Sequence, residues 1–200
     1  MSFEVEQKYQ LADELEFQRF SQNTISLLLE QYQGSAPFVV EETDVYFNHP
    51  AKNYAQTDEA LRLRYRKIGE RIELYITYKG PKLDTQTKTR KELEIPLKIE
   101  TQSTAQASLQ NWESLLCALG FTPVGKVSKT RQKVKFFWEG RQAELSLDTV
   151  LPIGYFVEVE LIAQCENDLA QTQQLLLQIT NSLKLTNIVK KSYLDLVLNT

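Results

Sequence analysis

Glu4, Glu6 and Lys8 occupy alternate positions in "FEVEQKYQ", near the start of this 200-residue chain. On one side of an extended segment, two carboxylates and an ammonium have the chemistry to hold a hard cation or an anion. A half-buried strand that shows its polar side to water has the same spacing. The question is which of the two this segment is.

The pattern recurs along the chain. In "LRLRYR", Arg62, Arg64 and Arg66 share a face, opposite Leu61, Leu63 and Tyr65. Glu73, Tyr75, Thr77 and Lys79 oppose Leu74, Ile76 and Tyr78, and Arg90, Glu92 and Glu94 oppose Lys91, Leu93 and Ile95. Further on, Lys129, Arg131, Lys133 and Lys135 align, as do Glu144, Ser146 and Asp148, and then Phe156, Glu158 and Glu160. One such face is the ordinary solvated side of a sheet. Seven that repeat Arg, Lys or paired Glu point instead to a sheet curled so that its charged faces line an interior.

Magnitudes support the enclosed reading. Carboxylates at i and i+2 on a strand face lie about 7 Å apart. At an effective dielectric near 20 they repel by roughly 2 kcal/mol, and desolvation adds to this. Glu4–Glu6 and Glu158–Glu160 would each carry that cost. A divalent cation such as Mg²⁺ or Mn²⁺ removes it and still accepts phosphate oxygens. The inward arginines and lysines pose the opposite problem, and a polyanion answers it, since guanidinium groups grip phosphate bidentately.

The elements that position these residues follow from periodicity. Period-two segments predict eight strands: 3–10, the "FVVEETDVYF" stretch, "EALRLRYRK" and "RIELYITYKG" as a hairpin, "TQTKTRKELEIPL", two strands turning at Glu139-Gly140, and "GYFVEVELIA". Apolar residues at helical spacing predict helices over 12–32, 103–119 and 167–182, with a short one in "KSYLDLVLN". Adjacent strands joined by short turns predict antiparallel pairing. The fold class expected is α+β: a closed eight-stranded antiparallel β-barrel with helices packed outside, in one domain over 1–200.

Composition narrows the function. The chain is 42% hydrophobic and 24% charged with a net charge of −3, which gives no global attraction for nucleic acid or an anionic membrane. No apolar run is long enough to span a bilayer, and the start lacks the pattern of a secretory signal. Cys117 and Cys165 lack metal-ligand spacing and read as reduced thiols, so a cytoplasmic location is expected. The single histidine, His49, falls in a loop after the second strand, and nothing near it supports nucleophilic catalysis.

Taken together, "EVEQK", "DVYFNHP", "EALRLR", "TYKGP", "TRKELE", "KTR", "LDTVLPIGYFVEVE" and "KSYLDL" resemble, in order and over nearly the whole chain, the CYTH domain proteins of the triphosphate tunnel metalloenzyme superfamily. That superfamily includes class IV adenylyl cyclases, thiamine triphosphatases and inorganic triphosphatases. By resemblance, Glu4, Glu6, Glu158 and Glu160 face metal, with Asp148 a further ligand or water-orienting group. Lys8, Arg62, Arg64, Lys79, Arg90, Lys129 and Arg131 form the triphosphate grip. Glu92 and Glu144 orient those cations, and Lys133, Lys135 and Arg66 sit nearer the mouth. Lys79 is the expected general acid, on the premise that neighbouring cations depress its pKa. Tyr46, Tyr75 and Tyr193 either line the bore or pack, while Trp112 and Trp138 are structural.

The resemblance implies a small-molecule triphosphate substrate, a Mg²⁺ or Mn²⁺ cofactor, and a possible homodimer, as related cyclases often form. Three activities remain open on these residues. They are hydrolysis of a triphosphate, cyclisation of ATP to cyclic AMP and pyrophosphate, and polyphosphate binding without turnover. Paired glutamates add nothing to simple polyanion binding, which makes binding alone the least favoured. The resemblance of "LRLR", "TYKGP" and "TRKELE" to the triphosphatase-like pattern, with no recognisable adenine-reading element, makes hydrolysis the favoured expectation and cyclisation its alternative.

Overall fold

In a computed structural model, described for residues 2–83, 89–99 and 101–200, eight antiparallel strands form one sheet. They are β1 (Phe3–Leu11), β2 (Phe38–Asn48), β3 (Ala60–Ile68), β4 (Arg71–Lys79), β5 (Glu92–Leu97), β6 (Thr122–Trp138), β7 (Arg141–Val150) and β8 (Gly154–Ala163). Their spatial order is β1-β8-β7-β6-β2-β3-β4-β5. Tight hairpins join β3 to β4 and β6 to β7. At the second of these, Glu139 and Gly140 both have positive φ (48° and 76°), as a two-residue turn matched to strand twist requires.

The sheet curls so that its charged faces turn inward, and the burial of those faces shows it. Lys8 is 1% exposed, and Glu4, Arg64, Arg131 and Glu158 are likewise buried. The water-facing reading of "FEVEQKYQ" is therefore excluded. Closure, however, is less complete than expected. β1 and β5 are the two edges of the sheet and, among the described residues, share no ladder. Among the described residues, one isolated bridge just ahead of β5 joins the edges, in which the amides of Glu4 and Arg90 each donate to the other's carbonyl at 3.2 Å. The barrel is a curled half-barrel with one seam, because β5 begins only at Glu92 and is six residues long. The part of its predicted strand over 85–88 lies outside the described residues.

The helices are α1 (Glu14–Gln31), the single-turn α2 (Tyr54–Thr57), α3 (Ala105–Ala118), α4 (Leu169–Ser182) and α5 (Tyr193–Val197), of which α1, α3 and α4 cover the outer faces. Asp13 caps α1, accepting from the Glu16 amide at 2.8 Å, while Glu16 accepts from the Ala12 amide at 2.6 Å. α4 lays Leu175, Leu176 and Ile179 on the outward Val5, Val159 and Leu161. α3 places Leu109 and Leu116 on Leu61, Leu63 and Leu74, which alternate with the inward arginines and the inward Glu73 and Tyr75. Trp112 and Trp138 pack against these clusters, as expected for structural residues. α5 belongs to a third cluster, with Tyr46, Val127, Val150, Phe156 and Tyr193, on the inner side of the sheet. No described helix is long and apolar enough to cross a membrane.

Candidate metal and phosphate site

The curled sheet encloses a cavity of about 690 Å³, within the range of small-molecule sites. All seven cations expected to grip phosphate line it, as do Glu4, Glu6, Glu158 and Glu160. Cross-strand register brings them together: Glu6 faces Glu160 and Lys8 faces Glu158 between β1 and β8, and Glu144 faces Glu160 between β7 and β8.

The acidic residues separate into two groups. Glu4, Glu6 and Glu160 each offer a carboxylate oxygen, and these oxygens lie within 4.8 Å of one another. Burial, with Glu144 and Glu6 alongside, pushes the Glu160 carboxyl up to about 7. Burial also raises Glu4, outweighing Lys79 beside it. Three crowded oxygens that resist joint ionisation are the donor set a hard divalent cation satisfies. These residues fit such an ion and are the ones that would hold it.

Glu158 and Asp148 are engaged differently. Arg131 donates through Nε to Asp148 Oδ1 at 2.6 Å, and its Nη2 reaches both Asp148 and Glu158. Tyr193 donates its hydroxyl to Asp148 Oδ2 at 2.6 Å. Asp148 has no exposed surface and lies behind Arg131, away from the cavity. The expected ligand role for Asp148 is thus not supported by its placement. Its carboxylate is committed to an arginine and a tyrosine, and Glu158 lies outside the converging trio.

A second departure concerns Lys79. Its ammonium lies 2.6 Å from Glu4 and 3.0 Å from Glu92. Burial alone would lower its pKa, but Glu4 and Glu92 outweigh burial and hold it well above the ordinary lysine value. The premise of a depressed pKa is reversed, because the nearest charges are carboxylates. Lys129, by contrast, is pushed down, by burial and then by Arg131.

Sequence reasoning overlooked two residues beneath the basic wall. Asp44 accepts from Arg64 Nε at 2.7 Å and Nη2 at 2.8 Å, and lies 3.3 Å from Arg62 Nη1. Glu42 lies 2.8 Å from Arg66, 3.1 Å from Lys129 and 3.4 Å from Arg64. Burial opposes ionisation of both, yet the surrounding cations hold both below the usual carboxylate range. Their signal was present: Glu42, Asp44 and Tyr46 alternate in "EETDVY" with the inward parity of the other strands. Of the expected orienting residues, Glu92 pairs with Lys79 and Arg62, and Glu144 with Lys133. Lys133 and Arg66 line the cavity, whereas Lys135 is exposed to solvent. Tyr46 and Tyr193 line it too, whereas Tyr75 lies under Arg66, 4.8 Å from ring centroid to guanidinium.

Comparison with known proteins agrees with this architecture. A protein named "Putative adenylate cyclase" from Methanocaldococcus jannaschii is 32% identical over 157 residues, covering 78% of this chain and 80% of that one. A solved Pyrococcus horikoshii protein superposes with a TM-score of 0.78 at 30% identity, over 98% of each chain. A Hippeastrum protein, named "Putative adenylyl cyclase" and described as having a dominant triphosphatase activity, shares the fold. Its TM-score is 0.62 at 14% identity, covering 100% of this chain and 96% of that one. The CYTH domain model matches residues 2–193. The chain belongs to the CYTH domain family, and that membership implies dependence on a divalent metal.

Proposed function

We propose that the protein is a divalent-metal-dependent phosphohydrolase acting on a triphosphate held in its basic cavity: inorganic tripolyphosphate, thiamine triphosphate or a nucleoside triphosphate. The observation that carries the reading is one cavity that unites a converging carboxylate trio with a wall of buried cations. A polyanion neutralises the wall, and a hard cation neutralises the trio.

Arg62, Arg64, Lys129, Arg131 and Lys8 bind the phosphate chain. Asp44, Glu42 and Asp148 hold Arg62, Arg64, Lys129 and Arg131 in place before substrate arrives, so little reorganisation is needed as charge develops on the phosphoryl oxygens. Glu4, Glu6 and Glu160 would hold Mg²⁺ or Mn²⁺, which would supply Lewis-acid polarisation of the phosphoryl group. Lys79 holds Glu4 and Glu92 in position. The half-enclosed bore excludes bulk water and strengthens each of these interactions.

A second reading, cyclisation of ATP to cyclic AMP and pyrophosphate, draws support from the name of the Methanocaldococcus relative. The same grip would serve it, with a ribose oxygen attacking in place of water. The test incubates pure protein with tripolyphosphate, thiamine triphosphate and ATP, each with Mg²⁺ or Mn²⁺, and identifies the products. Orthophosphate from any of them supports hydrolysis. Cyclic AMP with pyrophosphate replaces it with cyclisation, and binding without turnover would sink both.

A further inference from the structure

The C-terminal segment runs into the phosphate grip. It is tied to β1 where the Val189 amide donates to the Lys8 carbonyl at 2.7 Å and the Gln10 amide to the Asn187 carbonyl at 3.0 Å. Ser192 and Asp195 then cap α5 reciprocally, and the helix lies against β6. A Cβ at Gly125 would stand 2.6 Å from Leu194 Cδ1, so the glycine lets the helix pack closely without moving that side chain. The docking drives Tyr193 into the bore, where it is buried.

There Tyr193 touches three parts of the grip at once. The Lys8 ammonium lies 3.8 Å from the centre of its ring, and that of Lys129 lies 5.3 Å away. Phe156 packs edge-on at 5.1 Å and fixes the ring plane. The hydroxyl donates to Asp148, the carboxylate that orients Arg131. A ring face attracts a cation without removing its charge, so both ammonium groups keep their capacity for phosphate.

We propose that Tyr193 is a positioning residue of the triphosphate grip: its ring seats Lys8 and Lys129, and its hydroxyl locks the Asp148–Arg131 pair. Through it, the terminal helix becomes part of the phosphate site. This rests on the triphosphate reading above. The role divides between two parts of one side chain, and substitution separates them. Tyr193→Phe keeps the ring and removes the hydroxyl; Tyr193→Leu removes both but keeps apolar contact with Phe156.

The experiment measures calorimetric affinity for tripolyphosphate without added metal, kcat and KM for its metal-dependent hydrolysis, and thermal unfolding of all three proteins. Tyr193→Phe is expected to weaken affinity and raise KM by about tenfold, as for loss of one hydrogen bond to a charged group, with kcat little changed. Tyr193→Leu is expected to weaken affinity by about a hundredfold, so that the phenylalanine variant recovers part of the loss. A lower unfolding temperature with unaltered affinity in both variants would reduce Tyr193 to a packing residue and overturn the proposal. Equal losses in the two variants would overturn the role of the ring. Wild-type protein that fails to bind tripolyphosphate overturns the triphosphate reading, and this inference with it.

Discussion

Lys79, at the end of β4, donates to Glu4 of β1 at 2.6 Å across the seam where the two edges of the sheet meet. It also holds Glu92 of β5 at 3.0 Å, so one ammonium ties three strands at a seam where, among the described residues, the backbone supplies one isolated bridge. A lysine so placed is a counter-charge first. Its pKa stands above the ordinary value because Glu4 and Glu92 outweigh its burial.

Charge retention at this position should therefore matter more than proton transfer. Lys79→Arg is expected to keep metal-dependent hydrolysis of tripolyphosphate within about tenfold of wild type, while Lys79→Met loses about a hundredfold or more. Measured kcat/KM decides it. Equal inactivity of the two variants would restore the general-acid role.

The two acidic groups should respond differently to mutation. Glu4→Gln or Glu160→Gln is expected to lower Mn²⁺ affinity and turnover by at least about a hundredfold while the protein remains folded. Asp148→Asn should leave Mn²⁺ affinity near wild type and weaken triphosphate binding, because it loosens Arg131. Metal titration by calorimetry distinguishes them. A metal defect in Asp148→Asn would return that residue to the metal site.

Stability of the metal-free protein should fall as pH rises through neutrality. Glu160 titrates near 7 in the folded chain against a usual value of 4.5, so between these limits the folded state binds the extra proton. Its contribution is fully present below about 4.5 and is lost as pH passes 7. Thermal unfolding from pH 5 to pH 8 should show this decline, and added Mg²⁺ should reverse it. A rise over that window without metal would contradict the crowded-carboxylate picture.

The carboxylates beneath the basic wall should dominate stability in the opposite pH sense. Asp44→Asn leaves Arg62 and Arg64 without their shared counter-ion and is expected to cost about 3–5 kcal/mol at neutral pH. Burial opposes the Asp44 charge, but Arg62 and Arg64 hold its pKa below the ordinary aspartate value. The wild-type advantage should therefore persist above about 3.8 and fade only in stronger acid. Urea midpoints of both proteins at several pH values measure it.

Much of the interior is legible in the residue pattern itself. Side chains alternate along a strand with period two, so local sequence alone places Glu4, Glu6 and Lys8 together and sets Arg62 and Arg64 opposite Leu61 and Leu63. The long helices follow in the same way, with α1 and α4 ending within two residues of their expected limits. Glu42 and Asp44 carry the same signal, but nothing in "EETDVY" itself names the arginines they meet.

Parity could not say which inward carboxylate meets which inward cation. Asp148 and Arg131 are partners because β6 and β7 pair in one register, and Tyr193 joins them from 45 residues further along the chain. Lys79 lies among carboxylates, and not among cations, because the seam brings Glu4 to it across 75 positions. Whether the sheet closes depends likewise on the short reach of β5, at one edge, toward β1. The sequence by itself determined which side chains point inward, since that is a local property of the backbone. Only the tertiary structure decided their partners, and with them each group's charge and role, because charges act through space between residues far apart in the chain.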